Sequence, residues 1–327
     1  MTKQKKLFIV GILFLGSILL CVGVGAVMIS PREFFQLLLG EGKKSHETIL
    51  FHIRLPRVAA CILAGSGLAV SGVVIQNVLQ NPLAGPNIIG VNAGAGFFVV
   101  LWSFLFPYSY RGVPFAAFFG ALLTVLFIYA LAKKTGASRV TLVLAGVCVN
   151  SVLNAASDVI HTLGDDTLTG TYSFRLGGFT AVSIRVLYPA GALILIGILL
   201  VWLLHNELEI FSLGEEVAAS LGLRIGFIRF VFLVLAAVLA GAAVSIAGLL
   251  GFVGLVAPHI SRRLVGEECG FLVPFAALFG STFVMLCDLV ARTALAPYEL
   301  PTGILLSFVG APFFLYLLFR QKRRKID

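Results

Sequence analysis

The chain has 327 residues, of which 59% are hydrophobic and 12% charged, with a mean hydropathy of +1.03. A soluble domain runs near ~45–50% apolar and ~25% charged, so an ordinary cytosolic enzyme, a disordered chain and a secreted disulfide scaffold are excluded. A polytopic membrane protein remains. The apolar residues come in long runs rather than in alternation, which disfavours a transmembrane β-barrel. The formal net charge of +9 falls mostly in short segments between apolar runs, where membrane topology accounts for it better than nucleic acid does.

In chain order, a lysine-rich start, Met1–Lys6, leads into an apolar run from Leu7 to Ile29. That run is longer than a signal-peptide core and more spans follow, so it reads as an uncleaved first span. Pro31 to Arg57 reads as a polar loop. From Val58 to Tyr110 there is no Asp, Glu, Lys or Arg. A helical span takes ~20 apolar residues, so this stretch suits two. They break at the turn-rich Gln80-Asn81-Pro82-Leu83-Ala84-Gly85-Pro86-Asn87, giving spans near 58–79 and 91–107. Span 4 runs near 114–132 and ends at Lys133-Lys134, and span 5 near 140–160. The polar stretch 161–185 has room for a short re-entrant or surface helix, and span 6 lies near 186–204.

The uncharged run from Phe230 to Ser261 is too long for one span and too short for two full ones. As one span it would put the basic start and the tail Arg320-Gln321-Lys322-Arg323-Arg324-Lys325 on opposite sides. Two short spans put both basic ends on the cytoplasmic side. Gly248, Gly251 and Gly254 suit a short or broken helix that packs closely. Spans 9 and 10 lie near 271–291 and 302–319. The expectation is an all-α polytopic membrane protein of ten transmembrane helices, forming a single transmembrane domain over residues 1–327. Small residues four apart, such as Gly67 and Ser71, Ala236 and Ala240, and Gly241 and Ser245, read as close helix contacts.

Chemistry finds little support. The five cysteines (Cys21, Cys61, Cys148, Cys269, Cys287) have no C-x-x-C spacing and read as small core residues. The histidines are scattered, without an H-E-x-x-H. Gly40-Glu41-Gly42-Lys43-Lys44-Ser45 lacks the glycine spacing of a phosphate loop, and Lys43, the lysine that follows Gly42, is not itself followed by Ser or Thr. No cofactor or metal site is expected in this chain.

One polar segment between spans 6 and 7 stands apart. Ser212-Leu213-Gly214-Glu215 has capping-box form, with Ser212 as the cap. Glu215 and Glu216 suit a helix N-terminus, and Gly222 is placed to end the helix. A helix of about ten residues is marginal in water on its own. It rests on lipid headgroups or on a partner surface.

Glu216-x-Ala218-x-x-x-Gly222 resembles the coupling-helix signature of ABC importer permeases. Four more stretches narrow the resemblance: Arg54-Leu55-Pro56-Arg57; Gln80-Asn81-Pro82-Leu83-Ala84 with Gly90-Val91; Gly251-Phe252-Val253-Gly254-Leu255-Val256-Ala257-Pro258-His259; and Glu299-Leu300-Pro301-x-Gly303 with Gly310-Ala311-Pro312-Phe313-Phe314. In that order they resemble the FecCD permeases, type II importers for iron–siderophore complexes, haem and vitamin B12. The stretch 161–185 departs from many members in having no tryptophan. The resemblance implies the type II ABC importer permease fold in a bacterial cytoplasmic (inner) membrane. It implies a dimer with a second permease, identical or paralogous, and a pathway lined mainly by spans 5 and 10. Two ATPase subunits carrying ATP and magnesium dock below, and an extracytoplasmic substrate-binding protein docks above. A coupling helix over about 212–222 would meet the ATPase through Gly214, Glu215, Glu216, Ala218, Leu221 and Gly222.

Arg54 and Arg57 precede span 2 and Arg292 ends span 9, which puts positive charge on the outer side against the usual bias. The resemblance implies that they receive acidic residues of the binding protein; the alternative is that they hold lipid headgroups or Asp288, itself four residues before Arg292. Gln76 and Asn77 suit interhelical hydrogen bonds. Asn150 and Asn154 share a face of span 5 and are candidates for lining the pathway. The cargo expected is a ferric siderophore, with haem or cobalamin as alternatives. An ion-coupled secondary transporter would need ionisable groups at mid-span, where this sequence has few.

Overall fold

Long charge-free runs leave the backbone only one way to satisfy its polar groups in lipid, the helix. The computed structural model describes residues 2–25, 33, 44–134, 138–164, 169–180 and 182–323. They form α1 (Lys3–Gly23), α2 (Lys44–Val78), α3 (Val91–Leu105), α4 (Val113–Lys134), α5 (Arg139–Leu163), α6 (Thr169–Leu176) and α7 (Ile184–Leu203). There follow α8 (His205–Ser212), α9 (Glu215–Ser220), α10 (Ile225–Ala247), α11 (Val253–Val265), α12 (Cys269–Thr293) and α13 (Thr302–Arg323). Among the described residues, seven helices are long and apolar enough to cross a membrane: α1, α2, α4, α5, α7, α10 and α12. With α3, of 15 residues, α11, of 13, and α13, whose apolar part is Thr302–Leu317, the helices at the ten expected span positions are all present.

The core is α2, with α12, α10 and α11 packed around it. Over its most apolar stretch α2 is 83% buried, while α5 is 17% buried; α5 therefore keeps a broad face free of its own chain. Backbones approach closely where the sequence is small. A Cβ on Gly72 of α2 would fall on the carbonyl oxygen of Gly254 in α11. Ser71 donates to the Ala236 carbonyl across to α10 at 2.8 Å, and Gly241 of α10 lies against Ala121 and Phe118 of α4. The small-residue pairs of the sequence are helix contacts here.

Three boundaries differ from those expected. α2 begins at Lys44, so residues 44–57 are helix rather than loop, with a π-helical stretch over Ile49–Arg54. The remainder of the expected Pro31–Arg57 loop, and the end of the first apolar run after Gly25, lie outside the described residues apart from Glu33. The second difference is in the 230–261 region. It holds two helices, but only α11 is short, with 13 residues. α10 has 23 because it begins before the charge-free run and includes Arg229. That arginine is buried and paired with Glu215, so a charge that marks a span boundary in sequence sits inside the helix. The third difference is that the segment 212–222 divides between α8 and α9. The short helix expected within 161–185 is α6.

The break between α10 and α11 is held by backbone hydrogen bonds to other elements. Gly178 N–H donates to the Ala247 carbonyl at 2.8 Å and Leu249 N–H to that of Phe174 at 2.9 Å; the residue after α6 is tied in turn to α13, with Gly303 N–H donating to the Gly177 carbonyl at 3.1 Å. Irregular backbone is tolerated at membrane depth only where it is paired in this way or lines a cavity.

Candidate functional site

Three groups of polar residues stand out in this apolar chain. The first lies at the end of the bundle where α2, α7 and α4 finish and α5, α10 and α12 begin. The segment read as a single helix from Ser212 is two helices. Ser212 is the last residue of α8, and its hydroxyl donates to the Glu209 carbonyl at 2.7 Å rather than capping α9. Gly214, at φ 123°, is the N-cap of α9, and α9 runs only from Glu215 to Ser220. A capping box needs its serine in extended conformation just before the helix; here Ser212 is still helical, and Gly214 holds the position before α9. The C-terminal signal holds. Gly222 has φ +87°, with its N–H bonded to the Ala219 carbonyl and the next N–H, of Leu223, bonded to that of Ala218, both at 3.0 Å. This is the paired closure that a left-handed residue permits.

α9 has two unlike faces. Ala218 is fully buried, and Glu215 turns inward to Arg139 of α5 (Nε to Oε1, 3.0 Å) and Arg229 of α10 (2.5 Å). Glu216, Val217, Leu221 and Gly222 are exposed, and with Leu213 they give the segment an apolar outer face at helical spacing. Of the coupling residues expected, Glu216, Leu221 and Gly222 face out, and Glu215 and Ala218 face the bundle.

The second group lines a cavity of about 460 Å³ beside α5. Asn150, Asn154, Ser157, Asp158 and His161 follow one stripe of α5, and Asn92 of α3 and Arg175 of α6 close it. Asn150 donates to the Asn87 carbonyl at 3.0 Å. The Oδ1 atoms of Asn92 and Asn150 and Nε2 of His161 are shielded from solvent without a protein partner. Polar groups in that state at membrane depth mark a wet site. Sequence reasoning found Asn150 and Asn154 and missed Ser157, Asp158, His161, Asn92 and Arg175. Extending the i, i+4 stripe along α5 reaches the first three; no sequence signal brings Asn92 and Arg175 there.

The third group is at the opposite end. Arg54, Arg57 and Arg292 were expected on an exposed rim, and the structure places them inside, 4%, 6% and 8% exposed. Arg57 grips Asp288 with two hydrogen bonds, at 2.9 and 3.0 Å, and reaches Glu299 at 2.8 Å. Arg54 donates to the Val22 and Gly23 carbonyls at the end of α1, and Arg292 to that of Cys21. A guanidinium carries five donors, and at an apolar helix end these arginines place donors on the nearest carboxylates and helix-end carbonyls. For Arg57 the Asp288 alternative holds. The polar pair near the other end behaves as expected: Gln76 and Asn77 accept from Arg262 of α11, the latter at 2.8 Å.

A helical membrane bundle with a polar cavity along one lightly packed span, and a short solvent-facing helix between spans at one end, is the architecture of a transport permease. The FecCD transport family model matches residues 12–320, and the chain belongs to that family. It is 36% identical to the ferric citrate import system permease YfmE of Bacillus subtilis (strain 168), with 99% of each chain covered. It is 34% identical to the ferric hydroxamate import permease FhuG of the same organism, over 97% of this chain and 98% of that one. To the hemin transport permease HmuU of Yersinia pestis it is 33% identical, over 98% of each. A solved metal-chelate type ABC transporter in an inward-facing conformation superposes with a TM-score of 0.88 at 29% identity, covering 97% of this chain and 99% of that one. The protein is a multi-pass membrane permease subunit of an ABC transporter. It is not itself an enzyme and takes no cofactor.

Proposed function

We propose that this permease carries ferric siderophore complexes into the cell, as part of an iron-chelate ABC importer that works with an ATPase and a binding protein. Relatives named for ferric citrate, ferric hydroxamate and siderophore transport support the cargo class. The observation that carries the reading is the two-faced α9. Its outer face offers Leu213, Val217 and Leu221, all more than 40% exposed, to a soluble partner, while its inner face is bonded to two spans. A surface helix that merely rested on lipid would not need that second set of bonds.

In this reading two permeases form the pathway between their α5 and α13 helices, in a bacterial cytoplasmic membrane with both termini inside. The ATPase pair meets α9 through Glu216, Leu221 and Gly222, with Gly214 setting the entry to the helix and Ala218 allowing it to lie close on the bundle. ATP closes the ATPase pair, α9 moves, and the cavity beside α5 alternates between the two sides. The stripe Asn150, Asn154 and Asp158 contributes polar contacts to an oxygen-rich chelate in transit. The test is uptake of labelled ferric siderophore, haem and cobalamin by cells lacking and then regaining this gene. Restored uptake of ferric siderophore is the expected result; restored uptake of haem or cobalamin alone overturns the cargo assignment.

A further inference from the structure

The coupling residues of an ABC importer permease are those that touch the ATPase, and Glu215 was among those expected. Its geometry gives it another task. Both of its carboxylate oxygens are engaged within the chain, one by Arg139 at 3.0 Å and the other by Arg229 at 2.5 Å. Arg139 is the first residue of α5. Its other arm donates to the Gln80 side-chain oxygen. Gln80 sits just past α2 at φ 47° and donates from Nε2 to the Phe211 carbonyl of α8 at 3.1 Å. The bonds thus run from α9 to α5, to the end of α2, and on to α8, the helix just before α9.

Two features show that this arrangement is not generic helix chemistry. A cation at the first position of a helix is electrostatically unfavourable, because the helix dipole is positive there; the α5 N-terminus is already capped by Ser138, which accepts from Thr141 N–H at 3.1 Å. Arg139 therefore stabilises something other than α5 itself. Moreover, α5 is only 17% buried over its apolar stretch. With so little packing, one charge-assisted, directional contact is a large share of what fixes its lower end.

We infer that Glu215 is a positioning residue. Through Arg139 it ties α9 to the helix that bears the polar stripe, so that displacement of α9 turns α5, and Glu215 does not itself contact the ATPase. A shift of α9 without α5 would break the Glu215–Arg139 pair and leave the partly buried Arg139 without its carboxylate. Arg229, 4% exposed on its side chain, anchors the second oxygen and keeps the carboxylate aimed. The inference rests on α9 being the coupling helix.

The experiment uses the whole complex, permease with ATPase and binding protein, in proteoliposomes. For Arg139→Gln, Glu215→Gln and the double variant it reads ATPase retained per permease, basal ATP hydrolysis, and cargo imported per ATP. Arg139→Gln is expected to keep its ATPase and its hydrolysis while cargo per ATP falls about tenfold, a coupling within the usual range between sites. Glu215→Gln should lose at least as much cargo per ATP, since it also takes the carboxylate from the buried Arg229, and the double variant should be no worse than Glu215→Gln alone. Arg139→Lys and Glu215→Asp, which keep the charges, should recover part of the loss; a merely structural tie would lower yield and leave the cargo-to-ATP ratio alone. If Glu215→Gln loses the ATPase while Arg139→Gln behaves like the parent, Glu215 is a direct contact and the tie is wrong. Additive losses also overturn it. Leu221→Glu separates the two claims: ATPase retained with full uptake there would sink the coupling reading of α9 whatever the Glu215 variants do.

Discussion

Arg57 and Asp288 meet as a fork on a fork, Nε to Oδ2 at 2.9 Å and Nη2 to Oδ1 at 3.0 Å, with both side chains under 10% exposed. Thr302 at the start of α13 donates to the same carboxylate at 2.8 Å. The pair therefore joins α2, α12 and α13, and Glu299 extends it to the surface. Breaking a buried pair from one side leaves an uncompensated charge and costs about 3–5 kcal/mol. Asp288→Ala should lower the yield of monodisperse protein in detergent and its melting temperature. Arg57→Met with Asp288→Leu should be less damaging than Asp288→Ala. A double variant worse than the single would mean that the pair contributes net stability rather than mutual neutralisation.

Gly72 lies against backbone, not against a side chain that can turn away. Gly72→Val therefore cannot be absorbed locally and should separate α11 from α2. Overpacking of a tight core costs about 1–3 kcal/mol or more, and more is expected where the opposing atom is a carbonyl. Thermal stability in detergent checks this, with Gly11→Val as the control, since a Cβ there meets nothing within 4 Å.

At Gly222 a Cβ likewise meets nothing within 4 Å, but φ is +87°. Gly222→Leu costs about 1–2 kcal/mol of backbone strain and puts a bulky side chain on the outer face of α9. The permease should still insert, while ATPase co-purification and uptake are lost. Normal co-purification would remove Gly222 from the coupling surface.

How much of this was open to sequence depended on the range of the cause. The charge-free run from Val58 to Tyr110 and the glycines around 248–254 pointed to two helix pairs and a break, because lipid enforces helix locally. Gly222 was legible because a left-handed stop is a property of one residue. Ser212 was misread: Leu213-Gly214 between two short helices has the same spacing as a capping box within one. Asp288 was visible as an alternative partner through its spacing to Arg292, but it stands 231 residues from Arg57, and no local pattern chooses between that carboxylate and an outside partner. Asn150 and Asn154 were visible as a stripe, but the cavity needs Asn92 and Arg175 from two other helices. The inward turn of Glu215 was hidden for the same reason, since it depends on where α5 and α10 begin in space.

The proposed orientation has an independent check. Lys44 and Arg111 are exposed at one end of the bundle, and Lys134 and Arg263 at the other. Single cysteines at Lys44 and Arg111, in a cysteine-free background, should react with an impermeant maleimide in intact cells. Those at Lys134, Glu215 and Arg263 should react only after lysis. Labelling at Arg263 in intact cells would invert α11 and with it the placement of α9 on the cytoplasmic side.

In the proposed function, ATP on a partner subunit drives an iron chelate through this chain. The most direct measurement of this is uptake of iron-55 siderophore by proteoliposomes holding the permease, its ATPase and its loaded binding protein. Accumulation is expected to require ATP, to stop when ATP is replaced by a non-hydrolysable analogue, and to be indifferent to collapse of proton and sodium gradients. Uptake without ATP that follows an imposed ion gradient would contradict it.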